Sequence, residues 1–311
     1  MLANHALDLY GWAWPGLYEG SIQYTFKKWR PDIIIGASTV GEKYKISNDD
    51  ESLDTIKEYT YSGMLGYQYP LNSFVSFTNW VQAESRDENN TTVEEKTHET
   101  ETGVGISISR NTALLEPFHV FRGSLLTLTA YFVKPVERSG IEYNQYEMSA
   151  KKYLPFGHRL TWANRLFLAR REGEDAEEFY LDYERSYFIN PSFRLRGYGR
   201  KTFEGKDMVS YSSELRWMVF PDIGWHIYFM FPDINIYSMS LNLFSDWGTC
   251  WNDDNPPEYV EQWGRSWGMG LKLNLYIMQL APVYTSVEFA RPIYNDKWKV
   301  YWVFSSGYVT W

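Results

Sequence analysis

The sequence predicts an all-β chain, a transmembrane antiparallel β-barrel with about fourteen strands in view. Three observations predict it. Apolar and polar residues alternate with period 2 in segment after segment, and no convincing amphipathic helix intervenes. Most of these segments run for about 10–14 residues, whereas soluble strands usually run about 5–6 and a tilted membrane strand needs about 9–11. The connections fall into two alternating classes, one containing proline and the other mostly longer and acidic.

Composition narrows the classes further. The chain has 311 residues, 18% of them aromatic, with 25 Tyr and 14 Trp, which is far above ordinary usage. No stretch of about 18 apolar residues exists, so no membrane-spanning helix is expected. The opening "MLANHALDLYGW" has no basic region followed by an apolar run, so no signal peptide is expected in it. A single cysteine, Cys250, excludes an internal disulfide framework. A net charge of −9 argues against a nucleic-acid partner, which would want a basic face.

In chain order, the first expected strand is Ala3–Leu9. Leu17–Trp29 follows, setting Tyr18, Gly20, Ile22, Tyr24 and Phe26 against Glu19, Ser21, Gln23, Thr25 and Lys27. Ile33–Tyr44, Ile56–Tyr69 and Ser73–Glu84 come next. Glu101–Arg110 alternates Val104, Ile106 and Ile108 with Gly103, Gly105, Ser107 and Ser109. Gly123–Pro135 alternates Leu126, Leu128, Ala130 and Phe132 with Thr127, Thr129 and Tyr131. Glu142–Tyr153 and His158–Arg170 follow. Val209–Phe220 has Val209, Tyr211, Leu215, Trp217 and Val219 on one face and Ser210, Ser212, Glu214 and Arg216 on the other, with only Ser213 breaking the apolar row. Ile234–Trp247 sets Tyr237, Met239, Leu241, Leu243 and Trp247 against Ser238, Ser240, Asn242 and Asp246. Trp263–Gln279 sets Trp267, Met269, Leu271, Leu273 and Leu275 against Gly268, Gly270, Lys272 and Asn274. Pro282–Arg291 and Trp298–Trp311 close the series; the last is apolar on both faces, so its lipid face is not assigned.

The proline class of connections comprises "WRPD", "YPLN", "NTALLEPFHVFR", "LPFG", "FPDIGWHIYFMFPD" and "LAP". The other class includes the acidic stretches around Asp50, Glu95, Glu174 and Asp254. Short turns at one rim and long polar loops at the other are how outer-membrane barrels are built, with the long loops outside the cell. Leu215, Trp217, Leu241, Leu243, Leu271 and Leu273 are therefore expected to face lipid, and the polar rows to line the lumen. Tyr and Trp near strand ends fit the interfacial girdles. The chain ends on an aromatic, Trp311, as outer-membrane barrels commonly do, which makes Trp311 a candidate C-terminal signal.

Catalytic and metal signatures are missing from the sequence. His5, His98, His119, His158 and His226 have no metal-ligand spacing, and no G-x-S-x-G, P-loop or zinc pattern occurs. Asp253 and Asp254 sit in a Pro-rich acidic loop and read as solvated. Cys250 reads as a free thiol without a role. The expectation is a chain that is not an enzyme and binds no cofactor and no metal.

One loop stands out. "LRGYG" (Leu195–Gly199) lies within a connection of about 38 residues between Arg171 and Met208. Period 2 points Glu214 and Asp246, on the two strands that follow, toward the lumen. On periodicity alone these remain wall charges and Arg196 a solvated loop residue.

The order of "LRGYG", "SSELRW" and "NLFSDWGTCW", then two more strands and a terminal Trp, resembles the C-terminal part of the BamA/TamA-type outer-membrane assembly family, the bacterial surface antigen barrels, which includes two-partner secretion transporters. "MLGYQYPLNSFVSF", "GVGISISRN" and "MSAKKYLPFGHRL" also look like family strands. The resemblance implies a barrel of about sixteen strands, of which this chain carries the last fourteen as the C-terminal part of a longer protein, with a periplasmic domain upstream. It implies a bacterial outer-membrane location, with lipid, lipopolysaccharide and client polypeptides as partners. It implies a lumenal latch formed by Arg196, Gly197 and Tyr198 against Glu214 and Asp246, with the arginine fork held by carboxylates. Its function would be insertion or translocation of polypeptides, with a client strand pairing at a weak seam between first and last strands. A passive diffusion pore, and a membrane anchor for an upstream propeller or enzymatic domain, stay open beside it.

Overall fold

A computed structural model describes residues 5–14, 17–26, 31–47, 53–90, 95–116, 119–136, 142–173, 176, 178–181, 195–198, 203–227, 234–252, 263–277, 281–293 and 297–306. Its strands are β1 (His5–Trp14), β2 (Leu17–Phe26), β3 (Asp32–Ser47), β4 (Leu53–Pro70), β5 (Val75–Asn90), β6 (Glu95–Asn111), β7 (Leu114–Glu116), β8 (His119–Pro135) and β9 (Tyr143–Phe156). They continue as β10 (Leu160–Glu172), β11 (Phe179–Tyr180), β12 (Glu204–Gly205), β13 (Asp207–Phe220), β14 (Trp225–Ile227), β15 (Ile234–Trp251), β16 (Gly264–Ile277), β17 (Ala281–Pro292) and β18 (Lys299–Ser306).

Fourteen of these follow one another in a single sheet in the order β1-β2-β3-β4-β5-β6-β8-β9-β10-β13-β15-β16-β17-β18. The short β7 and β14 pair with β8 and β15, and β11 pairs with β12 in a small separate sheet. Every pairing with a described register is antiparallel, from His5↔Phe26 in β1–β2 to Ala290↔Lys299 in β17–β18. This is the fold class expected from the sequence, an antiparallel transmembrane β-barrel. By contact density the chain divides into two units: Met1–Ser109 with Thr129–Tyr146 and Glu172–Ala176, and Arg110–Leu128 with Glu147–Arg171 and Glu177–Trp311.

In the first unit the strands outrun the expected ones. The strands run into the acidic stretches around Asp50 and Glu95: β3 ends at Ser47, β4 starts at Leu53, β5 reaches Asn90 and β6 starts at Glu95. Glu95 therefore begins a strand rather than sitting in a loop. Backbone ladders extend regardless of side-chain polarity, and cross-strand polar pairs reinforce them where no apolar period remains. Arg86 donates to Glu58 across β4 and β5 (Nη2···Oε1 2.8 Å), and His98 meets Asp87 at 2.6 Å. Within this unit the inner-facing aromatic rings cover strand glycines. A Cβ at Gly105 would meet the Trp80 ring, one at Gly103 would meet Tyr131, and those two rings stack 6.3 Å apart. The β4–β5 turn after Pro70 is held by Asn72 Oδ1, which accepts from the amides of Phe74 and Val75 at 2.8 and 2.9 Å.

In the second unit the faces sort by period 2. Leu215, Trp217, Leu241, Leu243, Trp267, Met269 and Leu271 are exposed on the outer face. Ser210, Ser212, Ser240, Asn242, Asp246, Ser266, Ser286 and Glu288 are buried on the inner one. Leu273, expected outward and exposed, is only half-exposed, and Leu275 is buried. Their partner strand carries a register shift between Ile236 and Ser238, which breaks the regular facing of the pair at this end. Asp50, Glu174, Asp254 and Trp311 lie outside the described residues.

Candidate functional site

The site is assembled on the inner face of β13, β15, β16, β17 and β18, all within the second unit. Phe244 is the exception to the polar row of β15: it is buried on the inner face, directly opposite Gly268 of β16. A Cβ at Gly268 would meet the Phe244 ring, so only glycine lets the ring lie across the neighbouring strand. Nearer the loop end, Gly248 and Gly264 pair across β15 and β16. A Cβ at either would meet Leu181 or Leu195, so this glycine floor admits the loop's apolar residues. Leu195 and Leu181, both fully buried, join Phe167, Ala169, Phe179 and Met208 in one cluster, with Tyr198, Phe203 and Cys250 against it.

Anchored there, the chain turns through Arg196 and Gly197, with the Tyr198 amide donating to the Leu195 carbonyl at 3.4 Å. Gly197 has φ 95°, in the left-handed region that favours glycine. A Cβ there would also lie 3.0 Å from Pro292 of β17. The turn aims Arg196 along the inner wall. Its Nε donates to Asp246 Oδ2 at 2.6 Å and its Nη2 to Asp246 Oδ1 at 2.8 Å, a bidentate fork. Nη2 also donates to Ser212 Oγ at 3.3 Å, and the Ser212 hydroxyl donates to Asp246 Oδ1 at 2.6 Å. The Arg196 backbone amide donates to the same carboxylate at 3.4 Å. Glu288 Oε2 lies 3.6 Å from Nη1, and the guanidinium carbon sits 3.3 Å from the centroid of the Phe244 ring.

All three charged side chains are about 5% exposed or less. Burial alone would lower the Arg196 pKa, but Asp246, its hydrogen bonds and Glu288 more than offset this and hold the guanidinium above its ordinary value. A guanidinium stays charged in any case, so Arg196 brings a fixed positive charge to the wall.

Of the residues singled out in the sequence, Arg196 and Asp246 are in direct contact. Glu214 is on the same wall, but its carboxylate accepts from Arg216 Nη2 at 2.9 Å and from Asn242 Nδ2. Gly197 donates its amide to the Tyr301 hydroxyl at 3.1 Å. The Tyr198 hydroxyl donates to the Arg265 carbonyl and accepts from the Arg265 amide, both at 2.9 Å. Ser212, Phe244, Glu288 and Tyr301 were not singled out. The available signals were an aromatic in a polar row for Phe244 and a lone acid in "VYTSVEFA" for Glu288. Among the described residues no group of His, Cys, Asp and Glu is placed to hold a metal. Nothing in the arrangement provides an activated nucleophile or an acid–base pair.

Long antiparallel strands with an apolar outer face and a polar inner face define an outer-membrane β-barrel. The chain belongs to the Omp85 superfamily, whose domain model matches residues 19–299. It is a protein of the bacterial outer membrane. No curated protein matches it in sequence. Among solved structures it is similar to BamA from Haemophilus ducreyi lacking POTRA domains 1–3, at 16% identity and a TM-score of 0.62, covering 97% of this chain and 64% of that one. It is also similar to CdiB from Escherichia coli (16% identity, TM-score 0.63, 93% and 53% covered) and to CdiB from Acinetobacter baumannii (10%, 0.54, 93% and 50%). The chain thus spans about half to two-thirds of the length of these structures.

Proposed function

We propose that this barrel assists polypeptides in inserting into or crossing the outer membrane, and that Arg196, Gly197 and Tyr198 latch an external loop to the inner wall. The observation that carries the reading is the buried bidentate contact of Arg196 with Asp246. A loop of this length has a closure cost, and charge-assisted hydrogen bonds of about 1.5–3 kcal/mol each are of the size needed to offset it. A loop fixed across the inside would obstruct a simple pore, which favours polypeptide handling over passive conductance. The chain would act as the barrel portion of a longer protein with periplasmic domains, no bond would be broken, and the client strand would pair at the barrel seam. Lipid and lipopolysaccharide would surround the outer face.

The test is reconstitution of the full-length protein in lipid vesicles with an unfolded outer-membrane barrel as client. The wild type should accelerate client insertion, and Arg196→Ala should reduce that acceleration at least about tenfold while the strands stay folded. Steady ion conductance with no effect on any client, unchanged by Arg196→Ala, would favour the pore instead.

A further inference from the structure

Arg196, Gly197 and Tyr198 touch five strands in succession: β13 through Ser212, β15 through Asp246, β16 through the Arg265 backbone, β17 through Glu288 and Pro292, and β18 through Tyr301. Four of these have a neighbouring strand on each side in the sheet order, whereas β18 stands at one end of it. That strand pairs with β17 over eight positions, from Val283↔Ser306 to Ala290↔Lys299. On its outward side the Trp302 indole donates to Thr285 Oγ1 of β17 at 2.6 Å. Val300 is 60% exposed and Trp302 80%, and beyond that bond an exposed apolar side chain gains nothing against lipid tails by staying paired.

The inner face ties the strand to the loop as well. Tyr301 sits directly across from Glu288 in the β17–β18 register. The loop therefore grips two facing residues at once, Glu288 with the Arg196 guanidinium and Tyr301 with the Gly197 amide. The Gly197 amide thus reaches β18, and the chain leaves it through a left-handed turn. From this we infer that Tyr301 is the positioning residue that couples the loop to the terminal strand, so that seating or release of the loop sets how readily β18 separates from β17. This rests on the latch reading of the loop and adds what the latch regulates: the strand at the end of the sheet.

Hydrogen exchange on the purified barrel in detergent or lipid nanodiscs, with no client present, tests it. Tyr301→Phe removes only the hydroxyl. Exchange across 299–306 should speed up about threefold to tenfold, the loss expected for one hydrogen bond, with β13 and β15 unchanged. Arg196→Ala should speed up exchange both at β18 and around the loop. Unaltered exchange in β18, or an equal rise in every strand, overturns the inference. A measurement on the wild type avoids dependence on the variant's folding: the Gly197 amide and the β18 amides should open together as urea is raised. A Gly197 amide that exchanges freely while β18 stays protected also overturns it. Because no client is present, the coupling can hold even if client insertion fails, and the two failures are told apart.

Discussion

Arg196 is the residue on which the site turns, and its surroundings rank the effects of substitution. Removing a buried charge that balances others is costly, about 3–5 kcal/mol, because the remaining partners are left uncompensated. Arg196→Ala leaves both Asp246 and Glu288 in that state and should lower stability by this amount, read from the midpoint of urea unfolding. Asp246→Asn leaves Glu288 beside the guanidinium and should cost less, about 1.5–3 kcal/mol. Glu214→Gln should have the smallest effect on the loop, since Glu214 is held by Arg216 and Asn242. A Glu214→Gln effect on the loop equal to that of Asp246→Asn would contradict the arrangement. Arg196→Lys keeps the charge but loses the planar fork over Asp246 and the stacking on Phe244, so it should rescue only in part. Gly197→Ala forces a side chain into a left-handed turn against Pro292, and about 1–2 kcal/mol of strain should appear in the same assay.

The strands carry two kinds of information, and they were not equally legible. The outward rows of β13, β15 and β16 are plain in the sequence, because lipid exposure selects apolar residues at every second position. Leu243→Lys should therefore cost about 2–4 kcal/mol if Leu243 lies near the bilayer midplane, and a smaller loss places it toward an interface. Folding yield into vesicles followed by urea titration gives the number. The inner rows were legible only as polar. Gly268 reads as an unremarkable member of an alternating strand, yet it makes room for Phe244, while Gly248 admits Leu181 and Gly264 admits Leu195 and Phe203. Gly268→Ala should press on the Phe289 carbonyl of β17 and displace Phe244 and with it Arg196, loosening the loop without touching a charged residue. Protease cleavage between Arg171 and Met208 should then accelerate, and unchanged cleavage would deny the glycine its packing role. Strand ends in the first unit were misjudged for a related reason. Beyond the apolar band, alternation vanishes while the backbone ladder continues through pairs such as Arg86 with Glu58.

At the scale of the whole molecule, antiparallel order within each unit assigns connections to opposite ends. In the first unit, the strand ends Ser47 and Leu53, and Asn90, lie at the end opposite Leu71–Phe74. In the second, the strand ends at Glu172 and Asp207, and at Trp251 and Gly264, lie at the end opposite 157–159. Epitopes inserted at 48–52, 91–94 or 253–262 should be reached by antibody on intact cells, and one at 71–74 only after the outer membrane is opened. Labelling of 71–74 on intact cells would reverse the orientation. The sequence by itself determined the class: period 2, strand length and alternating connections follow from a bilayer that demands paired backbone and an apolar outer face, and they repeat along the chain where reading can find them. Through the resemblance carried by its loop motif it also marked Arg196, with Glu214 and Asp246 as the acids, where periodicity alone left a solvated arginine and two wall charges. Only the tertiary structure decided which carboxylate the arginine takes, that Glu214 is already occupied, and that Phe244, Glu288 and Tyr301 complete the site. Those choices depend on where a loop meets strand residues 50 to 104 positions further along the chain, on the register between those strands, and on which neighbours are small enough to admit a ring or a turn, and no periodicity in a single strand records them.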